Sequence, residues 1–155
     1  MLDQSRIEEL IRLAQAEAAK AIEEGNDPFG AVLTDSQGMV IVTAHNTQKS
    51  DGDPTAHSEI NLLRTAARKL NTLSFPDYLM FVNAEPCSMC MSACIKAKIH
   101  YLYFGAPHEP HLDPYLPAAE VVQRAKEMIY LYPGILKESC ARQIAEARKL
   151  SPPTD

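Results

Sequence analysis

His57-Ser58-Glu59 and Pro86-Cys87-Ser88-Met89-Cys90 carry the strongest structural signal in the chain. Proline suits the first turn of a helix, where its missing N–H is not needed, so residues 87–96 are predicted helical. At a helix start, the two-residue gap between Cys87 and Cys90 turns both sulfurs toward one point, and the positive end of the helix dipole favours their thiolates. Two thiolates leave a zinc site incomplete, because a catalytic zinc takes three protein ligands and keeps one position open. His57, near the start of another predicted helix (55–70), is the candidate third ligand. Glu59 lies two residues beyond it and can reach a water at the open position without binding the metal.

Outward from these stretches, helices and strands alternate. Ile7, Leu10, Ile11, Ala14, Ala18, Ala21 and Ile22 recur at helical spacing, with Ser5 and Glu8 as a capping box. Strands at 30–34 and 39–44 flank the turn Asp35-Ser36-Gln37-Gly38 and predict a hairpin. A polar loop covers 45–54. Strands follow at 78–83 and 99–104, the latter closed by Gly105. The stretch 106–117 is too rich in proline to be regular. A helix (118–126), a strand (128–132) and a helix (135–149) complete the pattern, which implies a three-layer α/β domain with a mixed sheet. We expect residues 1–150 to form a single domain and 151–155 a frayed tail.

The 155 residues carry a net charge of −5, with 46% hydrophobic and 23% charged side chains, a globular balance. No apolar run approaches the ~20 residues of a membrane helix, and no secretion signal is evident. We therefore expect a cytoplasmic protein with reduced thiols and no membrane partner. Residues 1–116 hold 9 basic and 15 acidic side chains, and 117–155 hold 6 and 5, so neither region is a basic platform for nucleic acid.

Plainer readings exist. Cys87 and Cys90 could be a redox dithiol, but that would not call for His57 and Glu59. Cys94 could complete a structural zinc site, but one turn deeper it reads as a small core residue, as does Cys140. His45, His100, His108 and His111 read as surface or satisfied histidines.

The combination of His57-Ser58-Glu59 with Pro86-Cys87-Ser88-Met89-Cys90 resembles the zinc-dependent deaminases of the cytidine-deaminase-like superfamily, whose signature has this order of ligands and an intervening Glu. The resemblance runs from the first helix to Gly105. It implies an α/β/α fold with a mixed sheet of about five strands, one Zn2+ per chain on His57, Cys87 and Cys90, and Glu59 as the catalytic proton carrier. It also implies a homodimer. Relatives usually carry Ala where Ser58 stands, so Ser58 is expected near the substrate. Asn46 matches an Asn that holds the base in the family, though it could equally be a turn residue. Phe29, in Pro28-Phe29-Gly30-Ala31-Val32, is similar to bacterial guanine deaminases, where the ring lies against the substrate; the plainer reading is core packing. Asp113 and Tyr115 match that branch's substrate-closing positions. Gly134-Ile135-Leu136-Lys137-Glu138-Ser139-Cys140 instead resembles the ending of tRNA-editing relatives.

The resulting expectation is a hydrolytic deaminase of a free nucleobase or nucleoside, with guanine the best single guess. The alternatives are a tRNA adenosine deaminase, a cytosine or other amino-heterocycle deaminase, and a zinc-binding module without catalysis.

Overall fold

Gly30 marks the point where the first helix and the sheet touch. In the computed structural model, which describes residues 1–112, 115–126 and 128–154, a side chain at Gly30 would strike the Ala14 carbonyl at 2.1 Å and the Ala18 nitrogen at 2.6 Å. Only a residue without Cβ lets the first helix, α1 (Gln4–Glu23), lie so close on the first strand, β1 (Gly30–Thr34). Helix α1 buries Leu10, Ile11, Ala14, Ala18 and Ala21 along one face. Its start is held by Asp3, whose carboxylate accepts the Arg6 N–H at 2.8 Å, and not by the expected Ser5–Glu8 box. The acid two residues earlier already satisfies a free N–H of the first turn.

The hairpin forms as expected, with β2 (Val40–His45) antiparallel to β1. The polar loop after it contains a helical turn, α2 (Gln48–Asp51). Helix α3 (Ser58–Leu70) starts three residues later than expected. Asp53 holds Thr55 by its N–H at 2.8 Å and its hydroxyl at 2.7 Å, a local turn that competes with helix. Then follow β3 (Leu79–Ala84), α4 (Ser88–Lys96), β4 (Tyr101–Ala106), α5 (Ala118–Arg124), β5 (Tyr130–Tyr132) and α6 (Lys137–Leu150). Gly105 does not close β4 but lies within it, where a Cβ would meet Cys140 Sγ of α6 at 2.4 Å. Pro86 precedes the helix it was expected to open, because Cys87 is the N-cap of α4.

The sheet order is β2-β1-β3-β4-β5. β1 is antiparallel to both neighbours, and β3, β4 and β5 run parallel. Strand side chains alternate between two cores. Leu79 and Phe81 pack with Leu10, Ile11, Cys140 and Ile144 of α1 and α6. Met80 and Val82 pack with Leu62, Met91, Cys94 and Ala118 of α3, α4 and α5. Both faces are covered, so β3 is buried at all six positions. The architecture is the expected three-layer α/β/α with a mixed five-stranded sheet. In the segment expected to fray, Thr154 makes two hydrogen bonds to Asp27.

Candidate active site and metal centre

The register of the sheet brings one set of ends together. β1 enters where β3 leaves, since Ala31 pairs antiparallel with Val82. Asn83 fixes the junction: its Oδ1 accepts the Gly30 N–H at 3.0 Å and its Nδ2 donates to the Pro28 carbonyl at 2.9 Å. Phe29 is thereby held beside the carboxyl end of β3, the edge at which α/β sheets place their ligands.

His57 and Cys87 are the N-caps of α3 and α4. Both have extended backbones (φ −69°, ψ 156° and φ −69°, ψ 172°) and neither side chain caps its own helix. That leaves the imidazole and the thiol free for other partners, with two helix N-termini converging on them. The ligand atoms of His57, Cys87 and Cys90 lie within 4.8 Å of one another. His57 Nδ1 is 3.6 Å from Cys87 Sγ and 3.5 Å from Cys90 Sγ. Tetrahedral zinc with Zn–N of 2.0–2.1 Å and Zn–S of 2.3 Å sets an N···S edge of about 3.6 Å. The three side chains therefore fit a zinc ion, and Cys94 does not join them: it is fully buried and faces Met80 Sδ at 3.7 Å.

The electrostatics agree. Hydrogen bonding with Cys90 overcomes burial and, with His57, lowers the Cys87 thiol to about 4. Cys90 is raised, first by sharing a hydrogen bond with Cys87 and then by burial. Burial disfavours a charged His57, but the Cys87 hydrogen bond and the Glu59 charge outweigh it and raise its pKa. A thiolate beside a proton-sharing neighbour is a donor set prepared for a cation.

Glu59 is buried, and burial raises its carboxyl above the ordinary range, with the Cys87 charge adding to the effect. A carboxyl so poised can both accept and return a proton. The Ser58 hydroxyl donates to Glu59 Oε1. Ser58, expected near the substrate, is itself fully buried and absent from the cavity lining, with its hydroxyl directed to Glu59.

A cavity of about 390 Å³ opens onto His57, Glu59 and Cys87, with Phe29, Gln48 and Met89 also lining it. Asn46 does not line it. Its Nδ2 donates to Gln48 Oε1 at 2.7 Å and its Oδ1 accepts the Gln48 N–H at 3.0 Å, and Gln48 itself lines the cavity. The ring of Phe29 has the Arg148 guanidinium 5.5 Å from its centroid. Asp113 lies outside the described residues. Sequence reasoning missed Asp27, Glu109, His108 and Thr154, all of which line the cavity. Nε2 of His108, read as surface or satisfied, is buried without a hydrogen-bond partner among the described residues.

Residues 4–106 match the family described as the cytidine and deoxycytidylate deaminase zinc-binding region. The chain is 36% identical over 104 residues to a tRNA-specific adenosine deaminase of Aquifex aeolicus, covering 67% of this chain and 68% of that one. It is 30% identical over 102 residues to the guanine deaminase of Bacillus subtilis, covering 65% of each. It is also 39% identical over 93 residues to a tRNA(Ile)-lysidine synthase of Deinococcus radiodurans, covering 60% of this chain but only 16% of that protein's length. Among solved structures, one from a study of A-to-I editing by tRNA:A34 deaminases at the wobble position of transfer RNA superimposes with a TM-score of 0.78 at 31% identity, covering 87% of this chain and 98% of that one. With the matched region spanning most of the fold and including the two helix starts, the chain belongs to the cytidine and deoxycytidylate deaminase zinc-binding family, a family of zinc-dependent hydrolytic deaminases.

Proposed function

We propose that the protein hydrolyses an exocyclic amino group from a free nucleobase or nucleoside and releases ammonia. The observation that carries this reading is the grouping of His57, Cys87 and Cys90 beside a cavity that His57, Cys87 and the Glu59 carboxyl line. Zinc, when bound by the trio, supplies a Lewis acid that activates water. Glu59 takes up the proton released there, passes it to a ring nitrogen of the substrate and then supports protonation of the departing amine. Phe29 and Met89 offer apolar surface to the base, and Gln48 a polar edge.

A small substrate suits the charges. Among the described residues, the lining includes Asp27, Glu59, Glu85 and Glu109 but neither Lys nor Arg. A nucleic-acid strand needs cations for its phosphates. A second reading, deamination of adenosine in tRNA, is favoured by the Aquifex relative and the A-to-I editing structure. Guanine, expected from Phe29, has thinner support among relatives and stands as one member of a panel. A homodimer belongs to the same proposal, checked by analytical ultracentrifugation.

Ammonia release by zinc-loaded protein from guanine, adenine, cytosine, their nucleosides and a tRNA anticodon stem-loop tests the reading. Turnover of a base or nucleoside is expected. Turnover of the stem-loop alone would replace it with the second reading, and turnover of nothing would favour a zinc-binding module.

A further inference from the structure

Asp27 is a buried carboxylate, 4% exposed, that lines the cavity. It pairs with two cations at the longer end of ion-pair distance, Arg148 Nη1 at 3.5 Å and Lys49 Nζ at 3.8 Å. Each is engaged more closely elsewhere. Arg148 donates to the two Glu109 oxygens at 2.8 and 3.3 Å. Lys49 donates to Ser151 Oγ at 2.8 Å. The short bonds to Asp27 come from one residue: the Thr154 N–H donates to Oδ2 and the Thr154 hydroxyl to Oδ1, each at 3.0 Å. Thr154 also lines the cavity and lies in no helix or strand, three residues past the C-cap of α6.

A buried carboxylate needs donors at its lone pairs. Here Arg148 and Lys49 balance the charge at ion-pair distance, while the two short hydrogen bonds come from Thr154, outside the helices and strands. One oxygen takes an O–H and the other an adjacent N–H, a paired-donor arrangement that the two neighbouring hydroxyls of a ribose can reproduce. Carboxylates hold ribose hydroxyls in other nucleotide sites for this reason.

We propose that Asp27 is a substrate-reading carboxylate for the vicinal 2′- and 3′-hydroxyls of a free ribonucleoside, and that Thr154 occupies it until the substrate arrives. This rests on the proposed function and narrows its substrate class. A free base has no such diol, a 2′-deoxynucleoside has half of it, and a nucleotide within a strand has its 3′-oxygen esterified. Because Thr154 competes for the carboxylate, it lowers the apparent affinity by the fraction of molecules in which Asp27 is covered.

Calorimetric titration of the zinc-loaded Glu59→Gln chain, which prevents turnover, tests this with guanosine, adenosine, cytidine and their 2′-deoxy forms. At least one ribonucleoside should bind about tenfold more tightly than its deoxy form. Asp27→Asn should erase that gap. Thr154→Pro, which removes both donors, should tighten the ribonucleoside about tenfold and leave the deoxy form within about twofold. Thr154→Val, which removes only the hydroxyl, should give a smaller change in the same direction and decides the matter if the proline variant does not fold. Absence of a gap for every pair, a gap that survives Asp27→Asn, or unchanged affinity in the folded Thr154 variants overturns the proposal. Deamination of free guanine without any gap would keep the proposed function and overturn this inference. A gap without ammonia release from any compound would do the reverse.

Discussion

In the proposed reaction, Glu59 carries every proton transfer on one carboxyl group. Exchanging it for Gln keeps its size but removes the proton carrier, so kcat should fall by about 10²- to 10⁴-fold with zinc retained. Ammonia release and metal analysis on the same preparation check this, and full activity in the variant would refute the proton role. Ser58→Ala removes the hydroxyl bonded to Glu59. It should lower kcat severalfold with KM little changed, because the carboxyl loses its orientation and no substrate contact is lost. A change in KM alone would return Ser58 to the substrate. The grouping of His57, Cys87 and Cys90 was legible at this scale because their spacing and their position at helix starts are local properties. Asn46 and Gln48 were not separable, since both are amides two residues apart and only the folded turn decides which one faces the cavity. Asp27 and Thr154 are 127 residues apart, so no local pattern announces their contact.

Among the elements, α1 carries a network that responds to pH. His45 at the end of β2 has Nδ1 2.9 Å from Glu17 and Nε2 2.9 Å from Glu24, so both ring nitrogens donate when the ring is protonated. Burial works against the charged ring, but the hydrogen bonds to Glu17 and Glu24 outweigh it and raise its pKa above 6.5. Burial would raise Glu17, yet bonds from Lys20, His45 and Thr43 pull it below 4.5. The His45 contribution is therefore complete below pH 6.5 and is lost as pH rises through the raised value. That of Glu17 is present above pH 4.5 and is lost as pH falls through its lowered value. Thermal melts above pH 6.5 should show Tm falling with pH, and His45→Gln should flatten that slope. An equal slope in the variant would contradict the network. Gly30→Ala should destabilise by about 1–3 kcal/mol or more through the clash with α1, lowering Tm by roughly 2–4 °C per kcal/mol. Strands and helices were readable from periodicity, whereas their ends depended on side chains such as Asp3 and Asp53 that compete for backbone N–H groups.

For the whole molecule, the sheet order matters because it places the start of β1 and the starts of α3 and α4 at one edge. Among the described residues no helix is long and apolar enough to cross a membrane. The layered architecture followed from alternating elements, but the closing of the cavity by residues after α6 depends on contacts between distant parts of the chain. Holding two helix starts together is also a structural task for the metal. Removing zinc with a chelator should lower Tm by roughly 10 °C, as expected for a ligand bound near a thousandfold above its Kd, and zinc should restore it.

X-ray absorption at the zinc edge of the purified protein reads the ligands of the metal itself. One zinc per chain is expected, with two sulfur neighbours at about 2.3 Å and nitrogen or oxygen neighbours at about 2.0–2.1 Å. A zinc bound by three or four sulfurs, or a correctly folded protein that takes up no metal, would contradict it.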